Sequence, residues 1–350
     1  PYVGIIDAHT WAGAGSGWQP RPEDLDLFWH RGLYVDDVEI RLGVHRTDHG
    51  AATASLVVGD GTGIHSGYAV RAEQPSATEP VAVKLMRAGE WILTRQAEAW
   101  SEEGYVLSLR RVGDVIVAGV DGQSVCQLRD PEPLQGLDRV GFRRDDAIID
   151  PGDIAILSSA VRTYTFEEAP VQWQAESGTW EVSTRWSCQP EWTWLAGWNQ
   201  DGQALTHTRW RATGRQMIDV YVGAKMMPKP GGKGHYEELR DLHFGLCGDG
   251  KGGGYHIVLG AHNNTVSSMR RNGTLVAQST ARSIPQSERH NNWLLVTILR
   301  DGPTISARIW DREVLSFTDT QPLEGGVVSV GTANNGIIIP RVTIYGSPAR

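Results

Sequence analysis

The sequence predicts an all-β protein made of two consecutive antiparallel β-sandwiches. Three observations lead to this prediction: a Gly-rich segment occurs twice, apolar residues alternate with period two, and glycine and tryptophan are abundant. The 350 residues include 41 Gly and 14 Trp. Glycine favours turns, whereas aromatic and β-branched residues favour strands. A chain of this length exceeds the usual size of a single hydrophobic core, so we expect two domains.

The repeated segment reads GDGTGIHSGYAV from Gly59 to Val70 and GDGKGGGYHIVL from Gly248 to Leu259. The match continues along the chain, where PLQG at 133–136 corresponds to PLEG at 322–325. The offset there is 322 minus 133, or 189 residues, and it stays almost constant to the end of the chain. A period of this length indicates a duplicated domain rather than a short structural repeat. We therefore place the two domains at residues 1–162 and 163–350.

Alternating side chains indicate strands in both copies. In the segment LLVTILR, the side chains of Leu294, Val296 and Ile298 face one way and those between them face the other. Both sets are largely apolar, and Asn-Gly and Asp-Gly pairs of the kind found in hairpin turns separate such segments. Helical patterns are brief, so two antiparallel sheets packed face to face are the simplest way to bury these residues.

The final segment, GGVVSVGTANNGIIIPRVTIYGS at 325–347, resembles the closing strand pair of concanavalin A-like and laminin-G-like modules. The hairpin before it also resembles a hairpin of that superfamily. The resemblance implies a jelly-roll arrangement of strands in each copy. A looser similarity links GYHIVLG at 254–260 to 3-keto-disaccharide hydrolases, a secreted bacterial group that acts on oxidised sugars, although the Asn-Ser pair of that group is missing here.

Charge and hydrophobicity narrow the possible partners. The formal net charge is −8 and the pI is about 5.8, and Lys and Arg form no cluster, so we expect no nucleic-acid partner. We find no apolar run long enough to cross a membrane. The chain starts with Pro1, which suggests a processed or longer product. We expect a module of an exported, multidomain surface or extracellular protein.

Six tryptophans fall between residues 173 and 198. Trp180 and Trp186 flank a period-two strand and are predicted to be core residues. Trp192, Trp194 and Trp198 lie around a proline and a glycine, where a ring can either pack inside or stack on a sugar. These three are the predicted ligand-binding residues, with a glycan as the predicted ligand. The predicted function is a non-catalytic binding or structural module that binds carbohydrate or associates with itself.

The second copy has histidines at positions where the first copy has other residues; the counterpart of His256 is Ala69. The pattern places His243, His256 and His262 on two strands joined by the Gly-rich turn, with His256 and His262 on one face. They are either polar residues of a solvated face or a metal or general-base site. The alternative function is a carbohydrate-active enzyme related to the hydrolases above, with His243 and His256 working beside Glu237 or Asp241.

Two further alternatives concern cofactors and cysteines. Asp60 and Asp249 in the Gly-Asp-Gly turns could contribute to a calcium site, or they could simply shape the turn. Cys188 and Cys247 could form a disulfide bridge if the protein is exported, or they could be buried thiols. No cofactor is required by the sequence.

The first copy appears to lack its first strand. At an offset of 189, Pro190 corresponds to Pro1, so the segment from Tyr164 to Cys188 has no counterpart in the first copy. The missing strand should leave an unpaired edge at Ile154–Leu157. We expect either a β-strand donated by another polypeptide or pairing with Val3–Ile6 of the same chain.

Overall fold

The structure is a computed structural model that describes residues 17–98, 101–183, 193–229, 232–236, 238–285, 293–310 and 312–349. Its strands pair in antiparallel fashion, which confirms the predicted all-β sandwich class. The chain divides into two compact units, Pro1–Val161 and Arg162–Arg350, which we call unit 1 and unit 2. Within the described ranges, no helix is long and apolar enough to cross a membrane.

Unit 1 consists of a seven-stranded and a five-stranded sheet. The strand orders are β1-β2-β11-β4-β5-β6-β7 and β10-β9-β8-β3-β12. The strands are β1 (Trp18–Arg21), β2 (Asp24–His30), β3 (Val38–His45), β4 (Ala52–Gly59), β5 (Tyr68–Gln74), β6 (Val81–Arg87), β7 (Glu90–Ala97), β8 (Gly104–Val112), β9 (Val115–Val120), β10 (Gln123–Arg129), β11 (Arg139–Asp146) and β12 (Ile154–Ser158).

Unit 2 contains the same two layers, but three long strands connect them into one hydrogen-bonded sheet of 13 strands. Its strands are β13 (Val161–Tyr164), β14 (Trp173–Ser177), β15 (Thr179–Ser183), β16 (Trp194–Thr208), β17 (Ala212–Ala224), β18 (Met226–Lys229), β19 (Gly232–Tyr236), β20 (Leu242–Gly248), β21 (Tyr255–Gly260), β22 (Val266–Arg271), β23 (Thr274–Ser279), β24 (Leu294–Asp301), β25 (Thr304–Ile309), β26 (Arg312–Thr318) and β27 (Val327–Pro348). The pair β18–β19 forms a separate hairpin.

The two units share their order of strands. The sequence β11-β4-β5-β6-β7 in unit 1 matches β27-β20-β21-β22-β23 in unit 2, and β10-β9-β8-β3-β12 matches β26-β25-β24-β17-β27. The first part of β27 therefore corresponds to β11, and its last part corresponds to β12. Each strand in these two runs can therefore be compared with a counterpart that has the same neighbours.

The core of unit 2 lies between its two layers. Leu242, Phe244 and Leu246 alternate along β20 and all belong to the core, as do Tyr255 and Ile257 of β21. Period-two alternation places the side chains between them on the outer surface of this layer. The residues that alternate with these core residues therefore determine the chemistry of the outer surface.

One expectation about the first strand is wrong. Trp18 pairs with His30 between β1 and β2, as Trp173 pairs with Thr208 between β14 and β16. The segment Trp173–Ser177 thus has a counterpart in unit 1. The offset is 173 minus 18, or 155, before this pair and 208 minus 30, or 178, after it. An insertion of about 23 residues in unit 2, the difference of the two offsets, hides the match from a search at constant offset.

A buried Tyr–Asp–Arg network joins the two layers of unit 2. The Tyr255 hydroxyl donates to Oδ2 of Asp319 at 2.6 Å, and Nε of Arg271 donates to the same oxygen at 2.6 Å. The Tyr255 oxygen also accepts from the N–H of Leu323 at 3.1 Å, and Oδ1 of Asp319 accepts from the N–H of Gln321 at 2.9 Å. Burial, with the bond to Asp319, raises the pKa of Tyr255 to about 12.

Unit 1 contains the same network atom for atom. Tyr68 donates to Oδ2 of Asp130 at 2.5 Å, and Nε of Arg87 donates to it at 2.6 Å. The N–H groups of Leu134 and Glu132 bind the tyrosine oxygen and the second carboxylate oxygen, both at 3.0 Å. The Arg87 hydrogen bond, followed by that of Tyr68, lowers the pKa of Asp130. Each carboxylate has little accessible surface and several charge-assisted hydrogen bonds.

Replacement of the central carboxylate should weaken the unit that contains it. We expect Asp319→Asn to lower the free energy of unfolding by about 2–3 kcal/mol, because Arg271 and Tyr255 lose their charged acceptor. Chemical denaturation followed by tryptophan fluorescence measures this loss. The control is Asp301→Asn, which removes an exposed ion pair with Arg215 and should cost less than about 0.5 kcal/mol. Equal losses in both variants would contradict a structural role for the network.

Candidate functional site

A polar row crosses the outer surface of five adjacent strands in unit 2. The register pairs His207 of β16 with Ser329 of β27, Ser329 with Gly245 of β20, Gly245 with His256 of β21, and His256 with Arg270 of β22. His243 lies two residues before Gly245 on the same surface. We call this set the histidine face: His207, His243, Gly245, His256, Arg270 and Ser329.

Glycine forms the floor of the histidine face. A Cβ atom at Gly245 would lie 2.1 Å from Oγ of Ser329, so the serine hydroxyl occupies the space that any other side chain would fill. A Cβ atom at Gly331, which pairs with His243, would lie 2.3 Å from the carbonyl oxygen of Ala204. A glycine at a central strand position often marks a place where another group approaches the backbone closely.

The two central histidines lie side by side. The ring centroids of His243 and His256 are 5.1 Å apart. His243 is only 6% exposed, and its Nδ1 atom has no hydrogen-bond partner among the described residues. Burial, helped by His256, lowers the pKa of His243 to about 3, and burial followed by the charge of Arg270 lowers the pKa of His256. Both rings are therefore neutral at physiological pH, so each carries one donor and one acceptor nitrogen.

Charged groups stand at both ends of the row. Arg270 is exposed and donates to the carbonyl of Gly273 at 2.9 Å. At the other end, Nδ1 of His207 lies 3.9 Å from Oε2 of Glu176, whose side chain is 58% exposed. The face thus offers neutral donors and acceptors at its centre, with one cation and one carboxylate at opposite ends.

The equivalent row in unit 1 has the opposite character. The same register connects Trp29, Gly141, Val57 and Ala69, and then Met86. Four of these residues, Trp29, Val57, Ala69 and Met86, form a buried apolar cluster with Leu27. The side chain that packs on this cluster is Ile64, from the repeated Gly-rich segment, whereas the matching turn in unit 2 has glycines. The same scaffold position is covered in unit 1 and bears polar groups in unit 2.

The predicted tryptophan platform does not form as expected. Trp194 is 1% exposed and its ring centroid lies 5.9 Å from that of Trp293, so the prediction of a surface role for Trp194 is wrong. Trp198 is half-buried, and Nζ of Lys225 lies 4.3 Å from its ring centroid. A cation already occupies one ring face of Trp198. Trp192 lies outside the described residues, as does the predicted core residue Trp186.

Asp60 and Asp249, the predicted calcium ligands, accept hydrogen bonds from the backbone of their own turns. Oδ1 of Asp60 accepts from the N–H of Thr62 at 2.8 Å, and Oδ1 of Asp249 accepts from the N–H groups of Lys251 and Gly253 at 2.7 and 2.9 Å. These bonds close Asx turns. Across the described ranges, no group of three or more His, Cys, Asp or Glu side chains is placed to hold a metal ion.

The remaining candidate residues are His262, Asp241 and Glu237. His262 follows β21 in a left-handed turn with φ of 50°, so the prediction that it shares a strand face with His256 is wrong. Asp241 has a hydrogen bond from Arg240 at 3.4 Å, and burial raises the pKa of its carboxyl. Glu237 lies outside the described residues. His243 and His256 are the two members of the proposed catalytic set that the structure brings together.

The cysteines do not define a site. Cys126 and Cys247 are buried free thiols, and Sγ of Cys247 lies 3.6 Å from Oε1 of Gln216. Burial raises the pKa of Cys247 to about 11, which makes its thiolate scarce at neutral pH. Cys188 lies outside the described residues. We assign Cys247 to the core of unit 2.

Comparison with known proteins identifies no family. No family model matches the chain, and no curated protein matches it in sequence. Solved structures that are similar include a carbohydrate-binding module, CBM66 from Bacillus subtilis, with 14% identity, a TM-score of 0.36, and coverage of 51% of this chain and 93% of that one. A Bacillus subtilis protein of unknown function with a galectin-like fold has 10% identity, a TM-score of 0.40, and coverage of 54% and 96%.

A third similar structure is the exoplasmic/lumenal domain of VIP36 in a form with Ca2+ and Man3GlcNAc bound. It has 8% identity, a TM-score of 0.37, and coverage of 51% of this chain and 85% of that one. Each of these alignments covers about half of this chain.

The buried histidine should make unit 2 sensitive to mild acid. The unfolded chain binds a proton at His243 below about pH 6.5, whereas the folded chain resists protonation to about pH 3. Stability should therefore fall as the pH is lowered from 6.5, with a contribution approaching about 1.4 kcal/mol per pH unit. Denaturation curves between pH 6.5 and 5 measure the slope. His243→Gln should flatten it, and the exposed control His262→Gln should not; identical slopes in all three proteins would refute neutral burial.

Proposed function

We propose that the protein binds a neutral glycan on the histidine face of unit 2 and does not transform it. The observation that carries the proposal is the buried Nδ1 of His243, which lacks a partner among the described residues and lies beside His256 over a glycine floor. A buried polar atom in this condition costs free energy unless a ligand or water satisfies it. A sugar hydroxyl supplies the missing hydrogen bond.

The protonation state favours hydroxyl groups over charged ligands. Each neutral imidazole offers one donor and one acceptor, and a hydroxyl group can act as either. A phosphate or carboxylate would be bound most strongly by protonated rings, which the lowered pKa values of His243 and His256 oppose. The hydroxyl of Ser329, which fills the space beside Gly245, adds a further neutral donor and acceptor to this face. These features support a neutral sugar as the ligand.

The same chemistry argues against acid–base catalysis by this pair. An efficient general base has a pKa near the pH at which it works, and the pKa of His243 is about 3. We further propose that the protein is exported. Fractionation of the cells that produce it would test that location.

Binding should depend on His256 and Arg270, two members of the row that are not fully buried. We expect His256→Ala and Arg270→Ala each to weaken binding to the best ligand of a glycan panel by about tenfold or more, the loss of one good hydrogen bond of about 1.4 kcal/mol. The melting temperature should change by only a few degrees, because neither side chain belongs to the core cluster. Isothermal titration with the selected oligosaccharide measures both affinities.

Two matched variants act as controls for the binding test. Arg95→Ala removes an exposed arginine of β7 in unit 1 that binds its neighbouring carbonyl, and it should leave affinity unchanged. Trp198→Ala should also retain binding, because Lys225 already covers a face of that ring. Loss of binding in Trp198→Ala but not in His256→Ala would move the site to the tryptophans and contradict the proposal.

A further inference from the structure

The chain contains two Asn-Gly pairs, and both lie in unit 2. Asn272–Gly273 forms the exposed turn between β22 and β23, whereas Asn335–Gly336 lies inside β27. Asparagine is a chemically labile residue, and a following glycine has no side chain to shield its backbone nitrogen from the asparagine amide. The two pairs therefore show how the fold changes the reactivity of the same dipeptide.

Asn272 and Gly273 are the two central residues of a hairpin turn, since the ladder of β22 and β23 ends at the pair Arg271–Thr274. Both are exposed, and their positive φ angles of 47° and 82° are typical of a type I′ turn. Among the described strands, β23 lies at the edge of its sheet. A turn at a sheet edge opens at a low cost in free energy, so the chain there can reach a reactive geometry.

The side-chain oxygen of Asn272 accepts a backbone hydrogen bond. The N–H of Gly254 donates to Oδ1 of Asn272 at 2.9 Å, and the N–H of Asn272 donates to the carbonyl of Gly254 at 2.9 Å. Attack on the side-chain carbon would move negative charge onto Oδ1. A backbone N–H that is fixed at this oxygen stabilises such a charge.

The equivalent turn of unit 1 forms without an asparagine. Ala88 and Gly89 connect β6 and β7 with φ angles of 47° and 87°, and the N–H of Ala88 donates to the carbonyl of Gly67 at 2.8 Å. The backbone conformation and the backbone hydrogen bond are thus the same in both units. The side-chain amide at position 272 is an addition that the turn itself does not require.

Asn335 is also followed by glycine, but its surroundings are the opposite. It is 1% exposed, and its Nδ2 atom donates to the carbonyl of Glu238 at 3.1 Å. The N–H of Gly336 donates to Oδ1 of Asn335 at 2.8 Å, so the nitrogen that would attack the side-chain carbon is bonded to the side-chain oxygen. A reaction there requires the opening of β27, which pairs on both sides.

We propose that Asn272 is a site of spontaneous deamidation in the folded protein, and that Asn335 is not. The backbone nitrogen of Gly273 bonds to Cγ of Asn272 and gives up its proton, and the side-chain nitrogen leaves as ammonia, which produces a five-membered succinimide. Water then adds to one of the two succinimide carbonyls, and the ring opens to aspartate or isoaspartate. One water is consumed and one ammonia is released, and no atom is oxidised or reduced.

The conversion alters the charge next to the histidine face. The guanidinium of Arg270 donates to the carbonyl of Gly273 at 2.9 Å, so the reacting turn also anchors the cation of that face. Aspartate or isoaspartate at position 272 places a negative charge in this turn, and isoaspartate also adds one carbon to its backbone.

Peptide mapping of the full chain measures the selectivity. The native protein is kept in a mildly alkaline buffer, and mass spectrometry follows the replacement of NH2 by OH at each asparagine. We expect the peptide that contains Asn272 to convert at least about tenfold faster than the peptide that contains Asn335, because Asn335 reacts only when a central strand opens. Fragmentation that separates isoaspartate from aspartate should find both products at position 272.

The unfolded chain is the matched control, because both asparagines precede glycine and unfolding removes the difference in their surroundings. In denaturant the two peptides should convert at similar rates. Equal rates in the native protein, or no conversion of Asn272, would overturn the proposal. A preference for Asn272 that persists unchanged in denaturant would overturn it as well, because the neighbouring sequence rather than the fold would then determine the rate.

Discussion

The fold of each unit depends on a buried carboxylate that connects its two layers by hydrogen bonds. In unit 2, Asp319 follows β26 of one layer, and it binds Tyr255 at the start of β21 and Arg271 at the end of β22 in the other. Burial alone would raise the pKa of Asp319, but the bonds from Tyr255 and Arg271 outweigh it and lower that pKa. The same network recurs around Asp130. One charged contact thus fixes the spacing of the layers in both units.

Because that network fixes the scaffold from within, the outer surface of the same strands can change its chemistry. The row that contains Trp29, Val57 and Met86 in unit 1 is closed by an apolar side chain from the Gly-rich segment. The equivalent row in unit 2 has His207, Gly245 and Arg270. The two Gly-rich segments account for this difference. In unit 1 the longer segment supplies Ile64, which packs on the row, whereas the shorter segment in unit 2 has glycines. A row of polar groups and a buried apolar cluster therefore occupy equivalent places on one fold.

The strands and the fold class could be predicted from the sequence, because apolar alternation and turn residues act locally. It also singled out His243 and His256, which do lie together. It could not identify His207, Ser329 and Arg270, because their proximity depends on the register of strands that are far apart in the chain. The surface position predicted for Trp194 was wrong for a related reason. A ring next to a turn can pack in the core or lie on the surface, and the contact of Trp194 with Trp293, which is distant in sequence, is not visible in the local pattern. The insertion of about 23 residues in unit 2 further obscured the match between β1 and β14.

The central claim is that two neutral histidines form a hydroxyl-binding surface. Proton–nitrogen NMR of the imidazole rings during a pH titration tests it most directly, because the nitrogen shifts report protonation at each ring. The account predicts that His243 stays neutral well below pH 6.5, the ordinary midpoint for histidine, and that both rings shift when the glycan is added. A His243 ring that is protonated at pH 6 or unaffected by the ligand would contradict it.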